Sequence, residues 1–94
     1  MRIIARPVLR QYADRHPELK ESLEDWYRML RRAAYRTPHE VREDFPTASF
    51  LGDGVTVFNI KSHRLEVHIR YDWQAVYVRF IGTHAEYDRR NESR

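Results

Sequence analysis

The spacing of apolar residues changes near the middle of the chain. Before about residue 45, apolar side chains recur every three or four positions, which is typical of one face of an amphipathic helix. The residues with this spacing are Leu19, Leu23, Trp26, Tyr27, Leu30 and Ala34. After about residue 50, apolar and polar residues alternate, as they do in half-buried strands. Because helical and extended segments are separate along the chain, the pattern predicts an α+β fold.

Prolines and capping residues predict where the helices begin and end. Pro7 suits the first turn of a helix, and this helix should stop before His16, because the residue that precedes a proline avoids the α conformation. Pro17 then opens a second helix. Thr37 and Glu40 have the spacing of a capping box, which predicts the start of a short third helix.

Alternation in the second half predicts a small antiparallel sheet of three or four strands, with the helices packed on one face. The predicted strands are residues 2–5, 55–60, 65–71 and 76–81. The side chains expected to face the helices are Val67, Ile69, Val78 and Phe80. The side chains expected on the opposite face are His68, Arg70, Tyr77, Arg79 and Ile81. Arginine, histidine and aromatic side chains on an exposed sheet face suit a phosphate backbone and a stacked base.

Length and composition limit the classes of protein to which this chain can belong. Ninety-four residues are enough for one domain, so residues 1–94 are expected to form a single domain. The 17 Lys and Arg exceed the 14 Asp and Glu by a small margin, which is a weak indication of nucleic-acid binding. The absence of cysteine excludes disulfides, thiolate zinc sites and a thiol nucleophile. No apolar run suits a membrane helix or a signal peptide, so we expect a cytoplasmic protein without membrane contact.

The segment Thr83-His84-Ala85-Glu86-Tyr87-Asp88 gathers an imidazole, a phenol and two carboxylates directly after a predicted strand. Thr83 and Glu86 have the spacing of a second capping box, which predicts a short terminal helix that begins at His84. Arg79 stands just upstream, so acid–base groups and a cation are concentrated at one junction of strand and helix.

Several segments of the C-terminal half carry a resemblance to a known family. They are Phe58-Asn59-Ile60, Arg64-Leu65, Ile69, Tyr71, Val76 to Phe80 and Thr83 to Asp88. Three segments of the N-terminal half agree more loosely, namely Ile3 to Arg6, Trp26-Tyr27 and Phe45-Pro46. In these residues the chain resembles the HigB-type toxins of bacterial toxin–antitoxin systems, a branch of the RelE-like ribonucleases. The hairpin between Ile60 and Arg64 departs from the pattern, since it is short and lacks the usual glycine.

The resemblance implies a RelE-like fold and a toxin that cleaves mRNA, generally on the ribosome, until a HigA-like helix-turn-helix antitoxin neutralises it. The implied chemistry needs neither metal nor cofactor. The 2′-OH of the RNA attacks the neighbouring phosphate and leaves a 2′,3′-cyclic phosphate. Two other functions stay open on the same fold: a non-catalytic module that binds RNA or a partner protein, and a small-molecule binder that uses the sheet face.

His84, Arg79 and Tyr87 are the candidate catalytic residues. His84 can exchange protons near neutral pH, and Tyr87, one helical turn later, can donate to a phosphate or stack on a base. Arg79 can hold the scissile phosphate through two parallel hydrogen bonds. Each residue also has a structural alternative. His84 could be an ordinary surface histidine, and Tyr87 could fix the helix to the sheet. Arg79 could form an ion pair with Glu66 or Asp88. Asp88 either orients His84 or pairs with a neighbouring arginine.

Five further side chains are candidates for RNA binding. Lys61 and Arg64 flank a predicted hairpin, while His68, Arg70 and Tyr77 lie on the exposed face of the sheet. For Lys61 and Arg64, a solvated turn is the alternative interpretation. No metal site is predicted, because the sequence has no H-E-x-x-H pattern and because His63 and His68 fall on opposite faces of a strand.

Overall fold

The computed structural model describes residues 1–4 and 7–92, except for the side chain of Val8. The helices are α1 (Pro7–Arg15), α2 (Lys20–Arg32), α3 (Pro38–Asp44) and α4 (His84–Glu92), and a 3₁₀ turn spans Pro17–Leu19. The strands are β1 (Arg2–Ile4), β2 (Ser49–Gly52), β3 (Val55–Ile60), β4 (His63–Arg70) and β5 (Ala75–Thr83). The predicted first strand is confirmed at residues 2–4, while Ala5 and Arg6 lie outside the described residues.

The strands form one mixed sheet in the order β1-β5-β4-β3-β2. Three of the neighbouring pairs are antiparallel, whereas β1 runs parallel to β5. The predicted α+β class is therefore confirmed, but the described residues form a sheet of five strands rather than three or four, and the sheet is not wholly antiparallel. A parallel pair needs a long connection, and here the connection between β1 and β5 contains the three N-terminal helices and the rest of the sheet. Whether residues 1–94 form a single domain stays a prediction.

The predicted helix boundaries are confirmed where a local signal marks them. α1 ends at Arg15, one residue before His16. The second helix begins at Pro17 as a 3₁₀ turn and becomes α-helical at Lys20. At α3, the Glu40 backbone N–H donates to Thr37 Oγ1 at 3.3 Å, and the Thr37 backbone N–H donates to Glu40 Oε1 at 3.2 Å. These reciprocal bonds satisfy amide groups that a helix start would otherwise leave unpaired.

The main core lies between the N-terminal helices and one face of the sheet. Trp26 of α2 meets the edge of Phe58 of β3 with ring centroids 5.6 Å apart, and Phe45 meets the same ring at 4.9 Å. Leu30 and Leu65 are fully buried beside them. Burial of a large apolar side chain contributes about 1.5–3 kcal/mol, so the apolar stripe of α2 accounts for much of the attachment of the helices to the sheet.

A β-bulge at Arg79 reverses the side-chain alternation in the second half of β5. Val67 pairs with Val78, but the preceding residue, Glu66, pairs with Phe80, so Arg79 is the extra residue. Beyond a bulge, each side chain turns to the other face of the sheet. Ile81 is therefore 8% exposed within the core, and Phe80 lies on the opposite face. The predictions that Phe80 faces the helices and that Ile81 is solvent-facing were both wrong for this reason.

The hydroxyl of Tyr35 should make folding stability depend on pH in alkaline solution. It donates to Asp44 Oδ2 at 2.6 Å, and burial, reinforced by the bond to Asp44, raises the pKa of Tyr35 far above its usual value. Unfolded chains lose the tyrosine proton above about pH 10, whereas the folded protein keeps it, so stability falls as pH rises. The expected contribution of this one group is a loss of about 1.4 kcal/mol between pH 8 and pH 11.

Urea denaturation of the wild type and of Tyr35→Phe at pH 8 and pH 11 measures this contribution. The phenylalanine variant cannot ionise, so its stability should fall by about 1.4 kcal/mol less over the same interval. Other tyrosines contribute equally to both proteins and cancel in the difference. Parallel losses in the two proteins would contradict the expected role of Tyr35.

Candidate functional site

The face of the sheet opposite the N-terminal helices is formed by alternate residues of β4 and by their partners on β5. Alternate residues of a strand point to the same face. On β4 these residues are Arg64, Glu66, His68 and Arg70. Their partners on β5 are Gly82, Phe80, Tyr77 and Ala75. We call this surface the open face, and α4 packs against β4 and β5 at one part of it.

A buried carboxylate holds two arginines on the open face. Glu66 is fully buried, its Oε1 accepts a hydrogen bond of 2.7 Å from Arg90 Nη1, and its Oε2 lies 3.6 Å from Arg79 Nε. Burial of an unpaired carboxylate is very costly, and the two guanidinium groups offset that cost for Glu66. We call Arg79, Glu66 and Arg90 the Glu66 clamp.

The Glu66 clamp confirms one of the two interpretations of Arg79 and leaves the other open. The ion pair with Glu66 exists, yet the Arg79 side chain remains 42% exposed. A guanidinium group has five N–H donors, and the Nε of Arg79 faces Glu66. The exposed part of the Arg79 side chain can therefore be reached by an anion on the open face.

Tyr87 of α4 packs near the Glu66 clamp through the ring of Phe80. The Tyr87 and Phe80 ring centroids are 6.3 Å apart, and the Arg90 guanidinium lies 4.9 Å from the Phe80 centroid. Phe80 also lies over the backbone of Gly82, where an added Cβ atom would come 2.7 Å from its ring. Gly82 therefore permits the close approach of Phe80, and Tyr87 is attached to the sheet outside the main core.

His84 occupies the first position of α4, as predicted. The Thr83 backbone N–H donates to Glu86 Oε1 at 2.8 Å, and the Glu86 backbone N–H donates to Thr83 Oγ1 at 3.2 Å, which confirms the capping box. These bonds lower the pKa of Glu86, so its carboxylate stays charged at neutral pH. His84 Nδ1 lies 3.4 Å from Asp88 Oδ2, one turn later. Asp88 therefore pairs with His84, and the imidazole remains more than half exposed.

An arginine and a tryptophan lie together at the far end of β4. Arg70 contacts Asp72 through Nε at 3.3 Å and through Nη2 at 3.1 Å, and these bonds lower the pKa of Asp72. The Arg70 guanidinium also lies 4.0 Å from the centroid of the Trp73 ring. Trp73 is 62% exposed, which is unusual for a side chain of this size. Trp73 was not among the predicted site residues, although a tryptophan between Asp72 and Gln74 in a polar turn is a signal for a binding surface.

His68 and Tyr77 are neighbours across β4 and β5 in the middle of the open face. Their ring centroids are 6.5 Å apart, and both side chains are half-buried. The β2–β3 turn closes over His68 at Gly54, whose φ of +82° and lack of a Cβ atom allow it to lie against the imidazole ring. A shallow pocket of about 570 Å³ results, and it extends from Gly54 and His68 to Arg70.

The two hairpin candidates separate in the structure. Arg64 lies on the open face, and its Nη1 donates to the His63 backbone carbonyl at 3.4 Å. Lys61 has the left-handed φ of +55° in the β3–β4 turn. Its Nζ donates to the Glu18 backbone carbonyl at 3.0 Å, which joins this turn to the 3₁₀ turn. Lys61 is therefore directed towards the 3₁₀ turn at the β3–β4 end of the sheet, apart from Arg64, His68, Arg70 and Tyr77.

The fold and the open face define a small α+β domain of the RelE-like class. The chain belongs to the HigB toxin family, which is described as the RelE-like toxic component of a toxin–antitoxin system, and the family model matches residues 19–90. The protein is therefore a toxin with an antitoxin partner. A search of curated proteins found no match. Over residues 1–4 and 7–92, no helix has the length and apolar character needed to cross a membrane.

Proposed function

We propose that this toxin is a metal-independent endoribonuclease that cuts mRNA on the ribosome in the cytoplasm and that a HigA-like helix-turn-helix antitoxin neutralises it. The observation that carries the proposal is the position of Arg79. The bulge and the Glu66 clamp hold a partly exposed guanidinium group on β5, the strand that leads into α4. A cation held on the strand that continues into His84 and Tyr87 is suited to the charge that develops during phosphoryl transfer.

The proposed reaction requires no group beyond these side chains and the RNA. The 2′-oxygen forms a bond to the adjacent phosphorus atom, and the bond from phosphorus to the 5′-oxygen breaks. The products are a 2′,3′-cyclic phosphate and a free 5′-OH. His84 exchanges a proton with either the attacking or the leaving oxygen, while Asp88 orients its imidazole. Arg79 donates to the non-bridging oxygens, and Tyr87 donates to the phosphate or stacks on a base.

The remainder of the open face is proposed to hold the RNA strand. Arg64 and Arg70 bind phosphates on either side of the reacting group, and Lys61 adds positive potential at the β3–β4 turn. His68 and Tyr77 line the surface between them. Trp73, already stacked with Arg70, offers a further base-stacking platform, and base–aromatic stacking contributes about 1–3 kcal/mol per base.

Replacing His84 with alanine should lower RNA cleavage by about 10²–10⁴-fold, because a positioned proton-transfer group supplies an acceleration of that order. The variant and the wild type are expressed from an inducible promoter, and growth and primer extension on translated mRNAs are followed. His39→Ala is the matched control. His39 lies in the first turn of α3 and pairs with Glu43 four residues later, 3.4 Å away, as His84 pairs with Asp88. The His39→Ala variant should nevertheless cleave RNA at the wild-type rate.

Two outcomes would contradict different parts of the proposal. Wild-type cleavage by His84→Ala would remove the proton-transfer role of His84 while leaving the ribonuclease function intact. A soluble wild-type protein that neither arrests growth nor cleaves mRNA would contradict the ribonuclease function itself. If that inactive protein still binds its antitoxin, the non-catalytic alternative is favoured.

A further inference from the structure

A second group of titratable side chains lies where the 3₁₀ turn meets the start of β4. His16 and Glu18 flank Pro17, and His63 is the first residue of β4. One ligand atom from each of these three side chains lies within 4.8 Å of the other two. His63 points to the helix side of the sheet, since its strand neighbour Arg64 lies on the open face. The cluster is therefore separate from the Glu66 clamp.

The imidazole of His63 is buried, and one of its nitrogens lacks a partner among the residues that the structure describes. The residue is 6% exposed, its Nδ1 lies 3.3 Å from Ser62 Oγ, and the nitrogen without a described hydrogen-bond partner is Nε2. Buried polar atoms normally have a partner, and an exception requires an explanation such as an ion. A histidine that binds a metal through one nitrogen usually holds a hydrogen bond at the other, and Ser62 is placed to accept one from Nδ1.

The surroundings of His63 favour a cation. Its ring lies 5.3 Å from that of His16, and His16 is stacked on Tyr12 with centroids 4.2 Å apart, which fixes the orientation of the second imidazole. His16 Nδ1 also contacts Glu18 Oε1 at 3.3 Å. Burial, followed by the neighbouring His16, lowers the pKa of His63, and the opposing effects of the Glu18 and Glu86 carboxylates are smaller. A neutral imidazole is the form that binds metal ions.

We propose that His16, Glu18 and His63 bind one divalent transition-metal ion, for which zinc is the best fit. Two imidazole nitrogens and a carboxylate oxygen are a known donor set for zinc, and a solvent molecule can complete the tetrahedron. Ligand atoms around a tetrahedral zinc ion lie about 3.4 Å apart, so small side-chain rotations would close the site. The ion would join the 3₁₀ turn to the β3–β4 turn, where Lys61 Nζ already donates to the Glu18 carbonyl.

This inference sets aside the sequence-based expectation of no metal site. That expectation depended on local spacing, whereas Glu18 and His63 lie 45 positions apart and come together only in the fold. The proposed ion has a structural role, so it does not alter the proposed metal-independent cleavage. Zinc binding is also measured without RNA, so the two proposals succeed or fail separately.

Isothermal titration calorimetry of tag-free protein with zinc chloride tests the site. We expect one zinc ion per chain, and we expect the melting temperature to rise by roughly 10 °C when free zinc exceeds its dissociation constant about 100-fold. Magnesium chloride at the same concentration should not change the melting temperature, because Mg²⁺ prefers oxygen ligands. Absence of zinc binding by the folded wild type would overturn the proposal.

Single substitutions locate the ligands. Glu18→Gln and His16→Gln change partly exposed side chains, so both variants should fold without metal, and each should weaken zinc binding at least tenfold. His63→Gln should do the same if it folds, but the conclusion does not depend on it. The control is His39→Gln, which removes an exposed histidine of a different His–Glu pair and should bind zinc as the wild type does. Unchanged binding by both Glu18→Gln and His16→Gln, or an equal loss in His39→Gln, would exclude this site.

Discussion

Replacing Arg79 with alanine should lower the rate of mRNA cleavage about 10²–10³-fold, which is the typical cost of removing one donor that stabilises developing negative charge. The Arg79 side chain remains 42% exposed while its Nε is held near Glu66, so a phosphate can reach the exposed part of the guanidinium group within the clamp. Arg79→Lys keeps the charge but loses the planar fork, so it should fall between the alanine variant and the wild type.

Single-turnover cleavage by purified toxin, on ribosomes that translate a defined mRNA, separates the chemical step from binding. The alanine variant should lose mainly rate at saturating substrate, because the proposed contact strengthens in the transition state. Arg28→Ala is the matched control. Arg28 lies in α2 and pairs with Asp25 on an exposed surface, so the variant loses the same charge and should keep wild-type activity. A stable Arg79→Ala protein that cleaves at the wild-type rate would reduce Arg79 to its ion pair with Glu66.

The features that the sequence predicted correctly depend on neighbours along the chain. Capping boxes at Thr37 and Thr83 place donor and acceptor three residues apart, so their geometry follows from local spacing. The positions of His68 and Arg70 on the open face were also predicted correctly. No bulge interrupts β4 itself, so the alternation of faces holds along this strand. His84 was likewise assigned correctly to the first position of α4.

The features that the sequence did not predict depend on contacts between distant segments. The parallel pairing of β1 with β5 joins residues more than 70 positions apart. The bulge at Arg79 has no distinctive sequence. Apolar and polar residues keep alternating through Arg79, yet in the structure Phe80 and Ile81 lie on the faces opposite to those that this alternation predicts. The burial of Glu66 and its bond to Arg90 were not predicted either, because Arg90 lies 24 positions away in α4.

The second large effect is expected from Glu66→Gln, which should lower the free energy of unfolding by about 3 kcal/mol. Removing one partner of a buried ion pair typically costs about 3–5 kcal/mol, because the other charge is left uncompensated. The lower end applies here, since Arg79 and Arg90 both retain some contact with solvent. Glutamine preserves the shape of the side chain, so the loss reflects charge. Urea denaturation at neutral pH measures it as a lower transition midpoint.

The same variant distinguishes a clamp that only stabilises the fold from one that also positions Arg79. Glu43→Gln is the control, because Glu43 is exposed and pairs with His39 on the surface, and its effect should stay within about 0.5 kcal/mol. At a temperature where Glu66→Gln remains folded, cleavage should still fall about tenfold or more, because Arg79 loses the carboxylate that fixes its direction. If stability falls but folded Glu66→Gln cleaves at the wild-type rate, Glu66 has no part in positioning Arg79. If Glu66→Gln lowers the free energy of unfolding by less than about 1 kcal/mol, other neighbouring groups compensate the positive charges of Arg79 and Arg90 without the carboxylate.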